Sequence, residues 1–495
     1  MPTGYQSFPN LRNEGCYYVD KTPLIREMIR QGRFYFLSRP RRFGKSLLVS
    51  TLKELFEGNE PLFKGLDIHP HWDWSVRHPV VRLSFGGGVD TTADLEKNVL
   101  NQLYNIEEVF RLESLPPAET APERLQNILR RLHRTTGRQV VVLVDEYDRP
   151  VLNVLEDDEK ARANRDKLRN LYSVLKDSED HIHFVFVTGI TMFSKTSFSS
   201  GLNNLDDISL YPLLASICGY MDHDLDTVFA PELEGLDRDR IRTWYNGYNW
   251  LGDERLYNPH DILHLFRKRE FQAHWFRSGQ PGYLYRLLIE RKVGSMELEN
   301  HAVDEEDLVN FELGSFSIEA LLFQSGYLTI AGEVEDEEQA TYRLNYPNLE
   351  IRKRFNKGFF QHLTGRGRTA EDTARKMTRF LGENDFAALR EQIQAFFASI
   401  PHNGMTVAIL VITNPGMRAC CTRASGPRKL RPKLRNLAAM AGRTWYCYMK
   451  ARYLYWNSRW LRTAQKRMKV SISQSHRFGN AAMPRNIEVA GKIST

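Results

Sequence analysis

The 495-residue sequence predicts an α/β phosphate-loop domain, with a mainly parallel sheet and helices on both faces, then a mainly helical, mixed region and a basic, disordered tail. Three observations carry this expectation. Short, continuously apolar runs alternate with helical patterns over residues 1–220, as strands buried on both faces require. A basic loop ending in Gly-Lys-Ser separates the first of these runs from a helical segment. A third run ends abruptly in carboxylates.

Each element has its own signal. Residues 22–31, TPLIREMIRQ, have the spacing of a short amphipathic helix stopped by Gly32. Phe34–Ser38 is an apolar strand, and Ser46–Phe56 returns to helical spacing. A second strand is expected at 79–85, a helix at 91–108, a third strand at Val140–Val144 and a fourth at 183–189. Residues 221–290, rich in Trp and Tyr, read as a helical extension, and 291–403 as a mixed, mainly helical linker region. No internal repeat stands out.

Composition narrows the function classes. With 42% hydrophobic residues, 27 Phe and 21 Tyr, the chain has material for sizeable cores. It has no apolar run of about 18 residues, so no membrane association is expected. The first residues lack a basic segment followed by an apolar one, and five cysteines fit a reducing compartment. The cytoplasm is therefore the expected location. The formal charge of +7 is unevenly spread: residues 404–495 hold 18 Lys and Arg against one acid, Glu488, while the first 403 carry 50 basic and 60 acidic residues. An acidic body joined to a basic tail differs from a basic nucleic-acid-binding protein.

The loop is Ser38-Arg39-Pro40-Arg41-Arg42-Phe43-Gly44-Lys45-Ser46. A full phosphate-loop pattern has Gly where Arg39 stands. The strand before it and the helix after it supply the context such a loop needs, with helix amides facing phosphates. Lys45 is expected to reach the β- and γ-phosphates and Ser46 to hold Mg²⁺. Arg41, Arg42 and Gly44 complete the ATP-binding set, and Arg39 is expected to add to the positive charge of the loop. The plainer alternative is a basic surface turn.

The run Val140–Val144 leads into Asp145-Glu146-Tyr147-Asp148. Carboxylates at the end of a parallel strand stand where ligands bind in such sheets. Asp145 is the expected second Mg²⁺ ligand and Glu146 the group that polarises the attacking water. Phosphoryl transfer draws on such positioned charges. Thr188, at the next strand end, is a candidate γ-phosphate sensor. Lys45, Glu146 and Thr188 thus form the expected catalytic set. Lys195 and Arg242 are further cations, each more simply read as a solvated surface residue.

These motifs resemble the AAA-ATPase-like proteins of bacteria and archaea, from about Gly4 to about Asn403. The resemblance rests on Phe8, Leu11-Arg12, Gly15 and Tyr18–Thr22, on SRPRRFGKS and VVVLVDEYDRP, and on FVTGITMFSKTSFSSGLNNLDDISL, WYNGYNW, LLFQSGYLTI and NYPNLE. It implies ATP binding and hydrolysis, with the Arg39 form of the loop as the family's own. It also implies a C-terminal nuclease-like domain of the PD-(D/E)xK superfamily, hence a nucleic-acid substrate for the intact architecture.

The tail departs from that pattern, because its single acid has no x-Lys after it and such a nuclease needs metal-binding carboxylates. The expectation drawn from this is that residues from about Gly404 onward are a frameshifted translation of the nuclease-like domain. In the shifted frame Trp445-Tyr446 dictates Val, while Met449-Lys450 and Trp456-Asn457 each dictate Glu. With permitted bases elsewhere, 441–460 can encode a strand bearing Asp and a strand bearing Glu-x-Lys. The competing expectation is a functional basic arm whose aromatics stack on bases. A further alternative for the whole chain is an ATP-binding regulator without turnover, docking a protein partner through the aromatic segment Trp244–Tyr257. Ordinary packing is the preferred reading of those aromatics.

Overall fold

A computed structural model describes residues 1–399 except 88–90, 114–119, 193–203, 277–281, 335–339, 365–371 and positions 296, 310, 373, 374, 378, 381 and 384. The expectations for Lys195 and for the 404–495 tail lie outside the described residues. The chain divides into two units, Met1–Val411 and Ile412–Thr495, and every strand and helix named below belongs to the first.

The chain opens with helices α1 (Phe8–Asn13) and α2 (Thr22–Gln31), then strand β1 (Phe34–Ser38) and helix α3 (Lys45–Phe56). Strand β2 (Val80–Ser84) is followed by helices α4 (Thr92–Val109) and α5 (Ala121–Thr136) and by strand β3 (Val140–Asp145). Helices α6 (Arg149–Leu152) and α7 (Asp158–Asp177) lead to β4 (Ile182–Gly189) and the short β5 (Asp206–Asp207). The five strands form one sheet in the order β2-β3-β4-β1-β5, every pairing parallel. All six residues of β3 are buried, which accounts for the unbroken valine-rich run: a strand covered on both faces has no solvent side to make polar.

Local signals set the helix boundaries. Thr91 caps α4 by accepting from the Asp94 amide at 3.1 Å, and Asp157 caps α7 from the Lys160 amide at 3.1 Å. Thr120 and Glu123 form a capping box at α5, which stops at Gly137 in the left-handed region.

The register brings the strand ends level. Ser38 pairs with Gly189, Asp145 with Thr188, and Ser84 with Asp145. The phosphate-loop candidate and the acidic motif therefore leave the sheet at the same end.

Further α-helices are α8 (Asp222–Thr227), α9 (Arg238–Tyr245), α10 (Pro259–Lys268), α11 (Gly282–Glu290), α12 (Glu305–Val309), α13 (Ile318–Gln324), α14 (Leu349–Thr364) and α15 (Phe386–Ser399). Strands β6 (Asn246–Tyr248) and β7 (Leu256–Tyr257) make a small antiparallel pair. Strands β8 (His301–Asp304), β9 (Thr329–Val334) and β10 (Thr341–Asn345) form an antiparallel sheet in the order β8-β10-β9. The helical reading of WYNGYNW holds only to Tyr245. Gly247, at φ 135°, turns the chain into β6, and a β-carbon there would lie 1.8 Å from the Pro347 carbonyl oxygen. Two of the quoted motifs, WYNGYNW and NYPNLE, thus meet backbone to backbone. No helix among the described residues is long and apolar enough to cross a membrane.

Candidate nucleotide-binding site

Residues 39–44 link the end of β1 to the start of α3. Arg42 and Gly44 adopt left-handed backbone at φ 69° and 99°. Such angles are easy for Gly and strained for Arg. Gly44 is the N-cap position of α3, so the first-turn amides of Lys45, Ser46 and Leu47 follow directly on the loop without intrahelical acceptors.

Lys45 is 6% exposed, and its ammonium donates to the carbonyl oxygens of Arg39 at 2.7 Å and Pro40 at 3.0 Å. Burial lowers its pKa, while the nearby Asp145 and Asp148 carboxylates oppose that shift. Asp145, at the end of β3, is 2% exposed. Burial raises its pKa against the pull of the Ser46 hydroxyl and the Lys45 and Arg82 cations. Arg82 Nη2 stands 3.6 Å from Asp145 Oδ2, and among the described residues Oδ1 is buried without a hydrogen-bond partner. The structure therefore brings together Lys45, Ser46 and Asp145, three of the residues picked from sequence.

A bare carboxylate oxygen beside a serine hydroxyl is a donor set for a hard divalent cation. Among the described residues no three His, Cys, Asp or Glu side chains converge as a metal cage. Mg²⁺ does not need one, since it is held by one or two protein oxygens together with phosphates and water. The residues present fit that group.

The other candidates differ in placement. Arg41 and Arg42 are exposed on the loop. Glu146 has φ 56°, and its Oε2 accepts from Arg149 Nη1 at 2.5 Å. Thr188 is fully buried, and its hydroxyl donates to the Leu37 carbonyl at 2.9 Å, tying β4 to β1. That hydroxyl is directed at the sheet rather than at the loop, so the geometry gives Thr188 a bracing role. Arg242 is exposed and paired with Asp222 Oδ2 at 3.2 Å and Asp239 Oδ1 at 3.3 Å.

Arg39 corrects one expectation. It adds nothing to the loop's exposed charge, because its side chain is fully buried. Nη1 donates to the carbonyls of Ser38 and Ser209, both at 2.8 Å, and Nη2 to Ala215 at 3.1 Å. Burial pushes its pKa down to about 10. The aromatic motif also has a packing explanation. Phe43 of the loop meets Tyr248 and Trp250 edge-on at 4.8 and 5.1 Å, and both rings are buried. A docking face made of these aromatics would have no exposed rings at Tyr245, Tyr248, Trp250 or Tyr257 to offer.

Three residues escaped the sequence reading. Asp148 is fully buried and accepts from the amides of Ile190 at 2.9 Å and Thr191 at 2.6 Å and from the Thr191 hydroxyl at 2.7 Å. It fixes the chain beyond β4, and Gly189 leaves it room: a β-carbon there would lie 2.7 Å from Asp148 Oδ1. Gln324 continues this brace by accepting from the Met192 amide at 2.9 Å. Arg82 was signalled only as a cation inside an apolar strand.

Comparison with known proteins extends these observations. A family model described as predicted AAA-ATPase matches residues 2–199. A protein of Azotobacter chroococcum mcd 1, described as "Uncharacterized protein in vnfD 5'region", is 49% identical over 405 residues, covering 81% of this chain and 78% of that protein.

Proposed function

The chain belongs to the predicted AAA-ATPase family, and on that premise we propose that it binds ATP at the Lys45 loop with Mg²⁺ and hydrolyses it. The convergence of Lys45, Ser46 and Asp145 at the carboxyl end of a parallel sheet supports this reading most directly. A phosphate oxygen is a stronger acceptor for the Lys45 ammonium than the Arg39 and Pro40 carbonyls, because its charge strengthens the bond. The first-turn amides of α3 suit the same anion. Ser46 and Asp145 would hold Mg²⁺, which neutralises charge gathering on the phosphates. Arg41 and Arg42 stand where they can approach phosphate oxygens from the solvent side. Glu146 is the candidate to orient the attacking water and accept its proton, once Arg149 yields one carboxylate oxygen.

The test is titration of a fluorescent ATP analogue, with Mg²⁺, into the full chain and its Lys45→Ala variant. Loss of binding in the variant is expected. Equal binding by both proteins overturns the site assignment.

The Glu146–Arg149 ion pair favours a second reading, in which ATP is bound without turnover and acts as a structural or regulatory ligand. A stable complex with no phosphate release from the native chain would select it. For residues 404–495 we retain the frameshift reading on their charge and codon pattern. Resequencing codons 395–495 tests it: a corrected frame carrying Asp and Glu-x-Lys makes ATP-dependent nuclease activity the next assay, and an unchanged frame removes that activity from consideration.

A further inference from the structure

Two buried carboxyl groups lie on consecutive amides next to the phosphate loop. Asp261, in α10, accepts from the Trp275 amide at 2.8 Å, and Glu350, in α14, accepts from the Phe276 amide at 3.3 Å. Asp261 is 1% exposed and Glu350 0%. The remaining oxygens, Asp261 Oδ2 and Glu350 Oε2, are buried with no donor from another group among the described residues. Two ionised carboxylates in one dry site repel strongly, so such a pair retains a proton. The two side chains are hydrogen-bond neighbours, so a single proton held between the carboxyl groups satisfies both.

The segment these carboxyls hold grips the loop. Trp275 donates its Nε1–H to the Arg41 carbonyl at 2.8 Å. Asn258, which caps α10, makes a longer 3.5 Å contact with the same oxygen. On the neighbouring loop residue, Pro40 packs so closely on Gly326 that a β-carbon there would lie 2.7 Å from the Pro40 Cβ.

We propose that Asp261 and Glu350 share one proton and, through Trp275, position the phosphate loop for its nucleotide. The three are positioning residues, and the inference rests on the ATP-binding reading. Burial raises the Asp261 carboxyl to about 7, against the pull of its bonds to Glu350 and the Trp275 amide. Burial and the neighbouring Asp261 raise Glu350 well above the usual carboxylate range. The ionisable groups facing the pair are the Tyr245 and Tyr248 phenols, kept neutral by burial, with Tyr327 beside Tyr248. On α10, burial lowers the pKa of His260 and His264; His260 also feels Arg42 and His274.

The folded pKa of the pair stands above the unfolded one. Its stabilisation is therefore whole below about pH 4 and is lost as pH rises through the raised values of the two carboxyls, that of Asp261 standing at about 7. Loss of the shared proton leaves two repelling charges that push apart the supports of Trp275, and the loop loosens.

The experiment uses the full chain at pH 6.5 and 8.5 with two readouts: affinity for a fluorescent ATP analogue, and hydrogen exchange of residues 39–46 without nucleotide, corrected for intrinsic rates. The native chain is expected to bind about three- to tenfold more weakly at pH 8.5, within the tenfold-per-unit limit for one proton, and to exchange faster in the loop. Asp261→Asn supplies a permanent N–H in place of the shared proton, so it should keep the low-pH affinity and flatten both profiles. Trp275→Phe should bind about three- to tenfold more weakly at both pH values, the range for one lost hydrogen bond. Identical pH profiles for the native chain and Asp261→Asn overturn the proposal. If the native chain takes up no analogue at either pH, the ATP-binding reading fails, and loop exchange alone decides the proton pair.

Discussion

The guanidinium carbon of Arg39 lies 4.3 Å from the ring centroid of Trp250. Together with its three carbonyl acceptors, this makes Arg39 a staple between the loop and the segment that follows β5. Arg39→Gly, which restores the usual first residue of a phosphate loop, should therefore harm the protein. The expected loss is about 2–4 kcal/mol of stability, with weaker ATP binding, because a buried cation with charge-assisted bonds is removed. Thermal unfolding measures it. An equally stable or tighter-binding Arg39→Gly protein would remove the staple role.

Lys45→Ala should separate binding from folding. Among the described residues its ammonium bonds only loop carbonyls, yet it would meet a charged phosphate in the complex. Affinity for MgATP should fall about 10- to 100-fold, the range for one hydrogen bond to a charged group. The unfolding midpoint without nucleotide should move far less than that of Arg39→Gly.

Glu146→Gly tests strain and chemistry together. Left-handed backbone costs a residue with a β-carbon about 1–2 kcal/mol, and the part-exposed pair with Arg149 returns no more than about 1 kcal/mol. The variant should be as stable as the native chain or slightly more so, bind MgATP, and release no phosphate. Undiminished phosphate release would take the water-orienting role away from Glu146.

Gly247→Ala should abolish cooperative unfolding or cost more than about 3 kcal/mol, since its methyl group would overlap the Pro347 carbonyl. Soluble yield and a melting curve decide this. A native-like melt would mean that the two motifs can separate without loss.

His183 sets an acid limb. It stacks on His78 with centroids 4.0 Å apart, and burial, then the His78 and Arg33 charges, push its pKa down to about 4. A lowered folded pKa gives stabilisation that is present above the unfolded value of about 6.5 and lost as pH falls toward 4. This slope opposes the Asp261–Glu350 slope. His183→Phe, which keeps a ring beside Phe56, should flatten stability between pH 6.5 and 4. An unaltered acid limb would assign it to other groups.

The central sheet was legible because its strands are buried on both faces and so read as uninterrupted apolar runs. Val140–Val144 needed only Asp145 added. The loop was legible from Gly44-Lys45-Ser46 between a strand and a helix. Side-chain direction was not. Arg39 looked like one more loop cation, since nothing in SRPRRFGKS distinguishes an arginine turned toward Ser209 and Ala215 from one facing solvent. Thr188 stood at a plausible strand end, but its hydroxyl follows the register between β4 and β1. Asp148 lay inside the motif that was read, yet its partners at 190–191 come from another strand end. WYNGYNW misled because its aromatics are spaced for a helix, while the turn at Gly247 is dictated by Pro347, 100 residues further on.

The sheet ends on one side in β5, only two residues long, both exposed aspartates paired to Tyr35 and Phe36 of β1. A strand arriving from another molecule would find a ladder too short to extend and two carboxylates to approach. Short, charged edges are how β-proteins avoid edge-to-edge accretion. Asp206 and Asp207 therefore help shield β1, the strand that leads into the phosphate loop, from intermolecular pairing, and valine at both positions would remove the charge that does so.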